Sequence, residues 1–241
     1  MTQSILVLTH HKAASTFLRR MLTSTITVRY KVLDYAGAYW KRRPEDRLWA
    51  NVYEMLNEAP ETFFSDTGQI YGPLRETIDI DYGRFRRVIV ARDPAETLLS
   101  EYVSFAFTHP EPPEGGSARE TFLARREAIR AMDVDAYADS AMARLHDRMR
   151  ELAEAQDGSA LVLPYRLIAR EPVEAIRRFQ DYAGIATPAW MTRKIISLRQ
   201  NLSSNRRHRS RKRDFQEYRL SEQKRAEISA EFADVSGVLG L

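Results

Sequence analysis

Ile5-Leu6-Val7-Leu8 is a continuous apolar run of strand length near the start of the chain, and its β-branched content reads as a buried strand. It gives way to the polar turn Thr9-His10-His11-Lys12-Ala13-Ala14, after which Phe17, Leu18, Met21 and Leu22 fall at helical spacing and predict a helix from about Ser15. Alternation over Thr25 to Val32 (TITVRYKV) predicts a second strand. Pro44 opens a helix in which Leu48, Val52, Met55 and Leu56 form one stripe. Thr62-Phe63-Phe64-Ser65 reads as a short strand ending in the turn Asp66-Thr67-Gly68. Arg87 to Ala91 (RVIVA) is the clearest buried strand, and it runs straight into Arg92-Asp93-Pro94-Ala95-Glu96. There Asp93 as N-cap, Pro94 as first helical residue and Glu96 three after the cap start a helix that continues through Leu98, Leu99, Tyr102 and Phe105.

Thr108 to Ser117 (THPEPPEGGS) interrupts the pattern with prolines and glycines and predicts a loop, long enough to serve as a lid or a substrate-contacting segment. Ser117 and Glu120 resemble a capping box, and the helical region they open divides near Asp133. Its second half carries Val134, Ala138, Ala141, Leu145, Met149 and Leu152 on one face and stops at Asp157-Gly158. Ala160 to Leu163 is a further strand. Pro172 opens a helix with Val173, Ile176 and Phe179 inward, ending near Gly184, and Trp190 to Leu198 is helical. Asn201 to Arg213 reads as a basic irregular loop, and Ser221 caps a terminal helix. Strands separated by helices imply an α/β fold with a mainly parallel central sheet flanked by helices on both faces. Ligands in such folds sit beyond the carboxyl ends of the strands. Two helix-opening turns hold that position, Thr9 to Thr16 and Arg92-Asp93.

Composition changes this picture little. The chain has 241 residues, 44% hydrophobic and 29% charged, enough for a single α/β domain over residues 1–241. A formal net charge of +4 favours anionic ligands weakly. The absence of cysteine excludes disulfides, a thiolate nucleophile and a zinc–thiolate site. No stretch is long and apolar enough to span a membrane, and a strand starting so early leaves no room for a signal peptide, so a cytoplasmic protein is the expectation.

The turn after the first strand has the chemistry of an anion site. Backbone N–H groups and the dipole of the following helix point at a bound anion, Lys12 adds a full charge, and Ser15 and Thr16 add donors. The same stretch also reads as an ordinary first βα unit with a surface lysine. A second chemically charged region is Asn205 to Arg213 (NRRHRSRKR), six of whose nine residues are Lys or Arg. That density suits nucleic-acid phosphates, but no aromatic residues are interleaved for base stacking.

HHKAASTFL, ARDPAETLLSEYVSF, LPYRLIAREPVEAIRRFQDYAGI and HRSRKRDF, in order along most of the chain, resemble segments of the sulfotransferases. HHKAASTFL (from His10) resembles the family's 5′-phosphosulfate loop, Pro-Lys-Ser-Gly-Thr-Thr-Trp. ARDPAETLLSEYVSF resembles its 3′-phosphate motif, with Arg92 ending a strand and Ser100 eight residues on. LPYRLIAREPVEAIRRFQDYAGI resembles its tyrosine-containing strand–helix segment, and His208 to Phe215 its Arg-Lys-Gly loop. The resemblance implies a P-loop-like α/β fold and in-line transfer of a sulfuryl group from 3′-phosphoadenosine 5′-phosphosulfate (PAPS) to a hydroxyl or amine, leaving 3′-phosphoadenosine 5′-phosphate (PAP), with no metal. It places Lys12, Ala13, Ala14, Ser15, Thr16 and Phe17 at the phosphosulfate. Arg92 and Ser100 fall at the 3′-phosphate, with Arg209 and with His208 or Ser210 beside it, and Tyr165 at the adenine. The acceptor would be a small molecule or a glycan, including an anionic one, with no nucleic acid expected.

The chain departs from the family pattern in two places that matter. Ala14 stands where the family has glycine, and alanine suits a phosphate-binding turn only with negative φ, so a loop different in detail is expected. Many members carry a histidine after the strand between the two donor motifs as acceptor base, and this chain has none between His11 and His109. Asp66, in the turn taken to correspond, is the first candidate, because burial can raise a carboxylate towards the working pH. Its competing reading is a turn aspartate bonded to its own backbone. His10 and His11 are the alternatives, then His109. The rival functions are a P-loop nucleotide kinase or hydrolase, though the loop lacks the Gly-Lys-Ser/Thr ending, nucleic-acid binding through the basic run, and nucleotide binding without transfer.

Overall fold

The computed structural model describes residues 2–25, 30–33, 35, 49–112, 117–202 and 217–241. Its centre is β1 (Ile5–Thr9), buried at every position. A strand covered on both sides needs apolar residues without alternation, and here Leu6 and Leu8 face one core while Ile5 and Val7 face the other. Five parallel strands make the sheet in the order β2-β3-β1-β4-β5, with β2 (Lys31–Leu33), β3 (Gln69–Leu74), β4 (Arg86–Ala91) and β5 (Leu161–Pro164). The chain builds one side of β1 first and then crosses to the other, so the order reverses beside β1 and β4. Such a switch point opens a crevice at the carboxyl ends of the strands.

One face of the sheet is covered by α1 (Ser15–Thr25) and α8 (Pro172–Tyr182), through Leu18, Met21, Leu22, Ile176 and Phe179. The other is covered by α2 (Trp49–Glu58), α4 (Pro94–Val103) and the long α6 (Val134–Glu154), through Val52, Leu56, Leu98, Tyr102, Leu145 and Met149. Helix α3 (Pro60–Phe63) is a single turn, α5 (Ser117–Arg130) precedes α6, α7 (Tyr165–Arg170) follows β5, and α9 (Ala189–Leu202), α10 (Glu222–Glu231) and α11 (Ala233–Leu239) complete the chain. Among the described residues no helix is long and apolar enough to cross a membrane.

The capping signals act as their chemistry predicts. The Asp93 carboxylate accepts from the Glu96 N–H at 2.8 Å with Pro94 as first helical residue, Asp133 accepts from Ala136, and Ser221 accepts from Lys224. The break at Asp133 and the buried face of α6 agree with the sequence pattern.

Three elements differ from it. Thr62 to Ser65 is not a strand: Pro60 starts the helical turn α3, which ends at Phe63, and the third strand is the later Gln69–Leu74. That strand was hidden by Gly72-Pro73, which breaks the apolar run. Glycine is required there because a Cβ on Gly72 would lie 2.6 Å from the Val7 carbonyl oxygen of β1. The strand expected over Thr25 to Val32 is also shorter, since Thr25 ends α1 and β2 spans Lys31–Leu33. Finally, α4 runs on as a π-helical segment, Ser104–Thr108, so the expected loop begins one residue later at His109, and its residues 113–116 lie outside the described residues. The helix start expected at Pro44 and the basic run from Asn205 to Arg213 lie outside the described residues.

Candidate functional site

The carboxyl ends of β1 and β4 are neighbours, paired Thr9 to Val90, so the loops that leave them meet. His10 ties them together. Its Nε2 accepts from the Arg92 N–H at 2.9 Å, which leaves the ring proton on Nδ1 to donate to the His11 carbonyl at 2.9 Å. With both nitrogens engaged and the residue 1% exposed, burial lowers its pKa to about 4. The alternative of His10 as acceptor base is therefore not met. It is a neutral strut between the two loops.

The loop after His10 turns on two left-handed residues, Lys12 at φ 66° and Ala14 at φ 62°. The expectation that Ala14 would keep a negative φ is overturned: the turn holds a glycine-type conformation without glycine, at a cost of about 1–2 kcal/mol per residue. What holds it is packing, because Ala13 between them is fully buried against the core beneath α1 and Ala14 lies at its edge. Helix α1 then begins at Ser15, its first in-register bond running from the Leu18 N–H to the Ala14 carbonyl at 2.9 Å. The N–H groups of its first turn have no partner within the helix. Thr16 is exposed there, and Phe17 is half-buried against the core.

Cations gather around that helix start. Lys12 Nζ donates to Ser104 Oγ of the π-helical segment. Burial, then the nearby Arg75 and Arg92 charges, lowers the Lys12 pKa to about 8, with Glu101 opposing. Arg75, the residue after β3, donates from Nη2 to Ser15 Oγ at 2.7 Å and from Nε at 3.2 Å. Arg92 reaches across with Nη1 to the Lys12 carbonyl at 3.2 Å, pairs through Nε with Glu96 at 3.2 Å, and lies 4.3 Å from the ring centre of Tyr165. The acid that Arg92 meets is Glu96, one turn along, rather than the adjacent Asp93. Burial is the largest cause of the lysine's lowered pKa and the two arginine charges add to it, so an anion beside Lys12 acts in the opposite direction.

Glu96, Ser100 and Ser104 recur at four-residue spacing along α4 and its π-helical extension, with Arg92 just ahead of the N-cap. Ser100 is half-buried there, between the residue that Lys12 meets and the one that Arg92 meets. Tyr165 opens α7 directly after β5, where it lies against Arg92. Lys12, Ala13, Ala14, Ser15, Thr16, Phe17, Arg92, Ser100 and Tyr165 are therefore brought to one end of the sheet. His208, Arg209 and Ser210 lie outside the described residues.

Asp66 is not among them. It precedes β3, its backbone carbonyl accepts from the Ser4 N–H at 2.7 Å, and its carboxylate pairs with Arg84 at 3.5 Å. That is the amino end of the sheet, the full length of the strand from Lys12. The error follows from the missed strand: the turn after β3 holds Arg75 and Glu76, not Asp66. Burial pushes the Glu76 carboxyl up, with Arg148 and Arg144 opposing.

His11 sits beside Lys12 and is held by Glu101, whose Oε1 lies 3.1 Å from His11 Nδ1. The His11 ring stacks on Phe105 at 5.2 Å, with the His109 ring 6.5 Å away. Burial lowers its pKa despite the carboxylate, so the neutral imidazole predominates. His109 is lowered too, to about 4, through burial and then the Lys12 charge.

Sequence reasoning missed Arg75, Glu101 and Ser104. Arg75 was lost with its strand. Glu101 carried a signal, a charge beside Leu98 and Tyr102 on the inward stripe of α4. Ser104 carried one too, four residues after Ser100.

No family model matches this chain, and no curated protein does. Solved structures do. The crystal structure of mouse sulfotransferase SULT7A1 complexed with PAP covers 97% of this chain and 84% of its own, with a TM-score of 0.59 at 11% identity. Retinol dehydratase in complex with retinol and PAP covers 98% and 82%, with a TM-score of 0.45 at 12% identity. The likeness to the mouse protein is one of fold: the five-stranded parallel sheet between two helical layers is the sulfotransferase α/β architecture.

Proposed function

We propose that this chain is a sulfotransferase, moving a sulfuryl group from PAPS to a hydroxyl or amine acceptor. The observation that carries the proposal is the convergence of Lys12, Arg75 and Arg92 on the open start of α1, at the switch point of the sheet. A cluster of cations at a helix N-terminus suits a ligand with several negative charges. Such a donor supplies an activated S–O bond whose cleavage leaves charge on a phosphate oxygen.

Each residue then has a role that its position supports. Lys12, with the N–H groups of residues 15–17, stabilises charge on the leaving oxygen, an effect typically of a few kcal/mol for one preorganised donor. Arg75 and Ser15 fix the 5′ end. Arg92 and Ser100, on the strand end and the next turns of α4, hold the 3′-phosphate, where the planar guanidinium suits two oxygens at once. Tyr165 faces the adenine. His11 takes the proton of the acceptor. The acceptor itself is a small molecule or glycan hydroxyl or amine.

Calorimetry with PAP against ATP plus magnesium tests the donor site. PAP is expected to bind in preference, and Arg92→Ala to weaken it by about 1.5–3 kcal/mol, the worth of a charged hydrogen bond. A preference for ATP would make the protein a nucleotide kinase or hydrolase instead. Lys12→Ala is expected to abolish transfer while PAP affinity falls less.

A further inference from the structure

The buried carboxylate of Glu101 has no place in anion binding, yet it is 0% exposed on the side of α4 that faces the Lys12 loop. A bare charge there would cost several kcal/mol, and the structure meets that cost from two sides. Oε1 takes His11 Nδ1 at 3.1 Å. Oε2 takes Arg144 Nη2 at 2.7 Å and the Tyr137 hydroxyl at 3.4 Å, both from α6. Burial alone would raise the carboxyl, but His11 and Arg144 outweigh it and hold it at about 2. The two oxygens are thus assigned to different partners, one to the cation and the phenol, the other to the imidazole.

We infer that Glu101 is a positioning residue, which fixes the proton of neutral His11 on Nδ1 and so keeps its Nε2 lone pair available to accept a proton. The inference rests on the sulfotransferase reading above for its role in the reaction, and on geometry alone for the tautomer. Nδ1 must carry the hydrogen because an ionised carboxylate can only accept. Among the described residues Nε2 makes no hydrogen bond, and the His11 side chain is 20% exposed, so a substrate proton can reach it. Burial, rather than the charges facing the ring, makes it neutral. Lys12 from its own loop and Arg75 from the end of β3 oppose a second proton, Glu101 supports one, and burial decides against it. Phe105 stacked at 5.2 Å closes one face of the ring, and His109 from the end of the π-helical segment lies at its edge. A carboxylate that orients an imidazole in this way sets the tautomer that makes it a base.

Glu101→Gln distinguishes this from a plain structural ion pair. Arg144 and Tyr137 both donate, so the single amide oxygen is drawn to them and the amide nitrogen is left facing His11 Nδ1. An amide N–H there needs a lone pair, and the ring proton must move to Nε2. The measurement is a two-bond nitrogen–proton correlation on protein labelled in its five histidines, with His11→Gln to identify the resonance. At neutral pH the wild type is expected to show His11 neutral with Nδ1 protonated, and Glu101→Gln to show the proton on Nε2. Wild-type His11 found protonated on Nε2, or on both nitrogens, overturns the inference without need of the variant. So does a variant that folds and keeps the proton on Nδ1. Calorimetry with PAP on the same samples is the separate arm: Glu101→Gln is expected to bind within about twofold of wild type, since it removes no cation from the cluster, and a tenfold loss would make Glu101 part of the anion site. A wild type that shows the expected tautomer but binds no PAP would sink the sulfotransferase reading and leave the His11–Glu101 pair standing.

Discussion

Ala14 shows how much one backbone conformation can matter. At φ 62° it occupies the left-handed region that glycine enters freely, and it does so in the turn that points the first N–H groups of α1 outward. Glycine there would remove a strain of about 1–2 kcal/mol but return about 0.5–1 kcal/mol of entropy to the unfolded chain. Ala14→Gly is therefore expected to stabilise the protein by about 0.5–1 kcal/mol, raising Tm by roughly 2 °C for a chain of this size. Calorimetric melting checks the sign, and a lower Tm would mean that the alanine methyl contributes more packing than its backbone costs. Lys12, at φ 66° in the same turn, points its side chain to Ser104 from a conformation that was not legible in its neighbours. The lysine was readable as chemistry; its strain was not.

The π-helical segment Ser104–Thr108 is the element that shapes the surroundings of Lys12 and His11. It presents Ser104 to Lys12 and Phe105 to His11, and neither contact would survive if α4 simply ended at Val103. Two arginines of α5 hold it open. Arg126 donates from Nε to the Phe105 carbonyl at 3.1 Å and from Nη2 to the His109 carbonyl, and Arg130 donates to the Ala106 carbonyl at 2.8 Å. Arg126 is 6% exposed and also pairs with Glu111 at 3.0 Å, so its charge is matched. Arg126→Gln keeps one donor and loses the others, and is expected to cost about 2 kcal/mol. Native-state hydrogen exchange should locate that loss at Phe105 to His109, with roughly 30-fold faster opening there and little change in the strands. Uniform acceleration across the sheet would show instead that Arg126 supports the whole fold. Sequence patterning followed α4 as far as Phe105 but could not see the widening, because the arginines responsible sit on the next helix.

At the scale of the whole molecule, buried neutral His10 links folding to pH. Its folded pKa of about 4 lies below the ordinary imidazole value of 6.5, so between those values the unfolded chain binds a proton that the native state refuses. Stability therefore rises with pH through that window and is complete above about 6.5, the contribution being on the order of 3 kcal/mol. Glu101, held at about 2, acts in the same direction lower down: its stabilisation is present above the ordinary carboxylate range and is lost as pH falls towards 2. Urea unfolding at pH 7, 5.5 and 4.5 is expected to show a progressive loss, beginning at the imidazole end of the range. A flat profile from pH 7 to 4.5 would contradict the two hydrogen bonds assigned to His10. Replacing His10 with Asn is expected to remove only part of that slope, since His109, also lowered to about 4, and His11 act in the same direction, while lowering stability at pH 7.

The amino-acid sequence by itself determined the layers. Near-continuous apolar runs at β1 and β4 require cover on both faces, and Asp93, Asp133 and Ser221 set helix starts through bonds to N–H groups within one turn. Such signals are local and survive without knowledge of neighbours. Lys12, Arg92 and Tyr165 were legible for the same reason, each standing at the end of a strand or the start of a helix. What only the tertiary structure decided was adjacency. Asp66 and Arg75 flank the same strand, yet the parallel register with β1 puts one at the amino end and the other at Ser15. Glu101 became the partner of His11 because α4 packs across the carboxyl end of β1, ninety residues away in sequence. A carboxylate and an imidazole acquire their roles from what surrounds them in space, and no spacing along the chain carries that information.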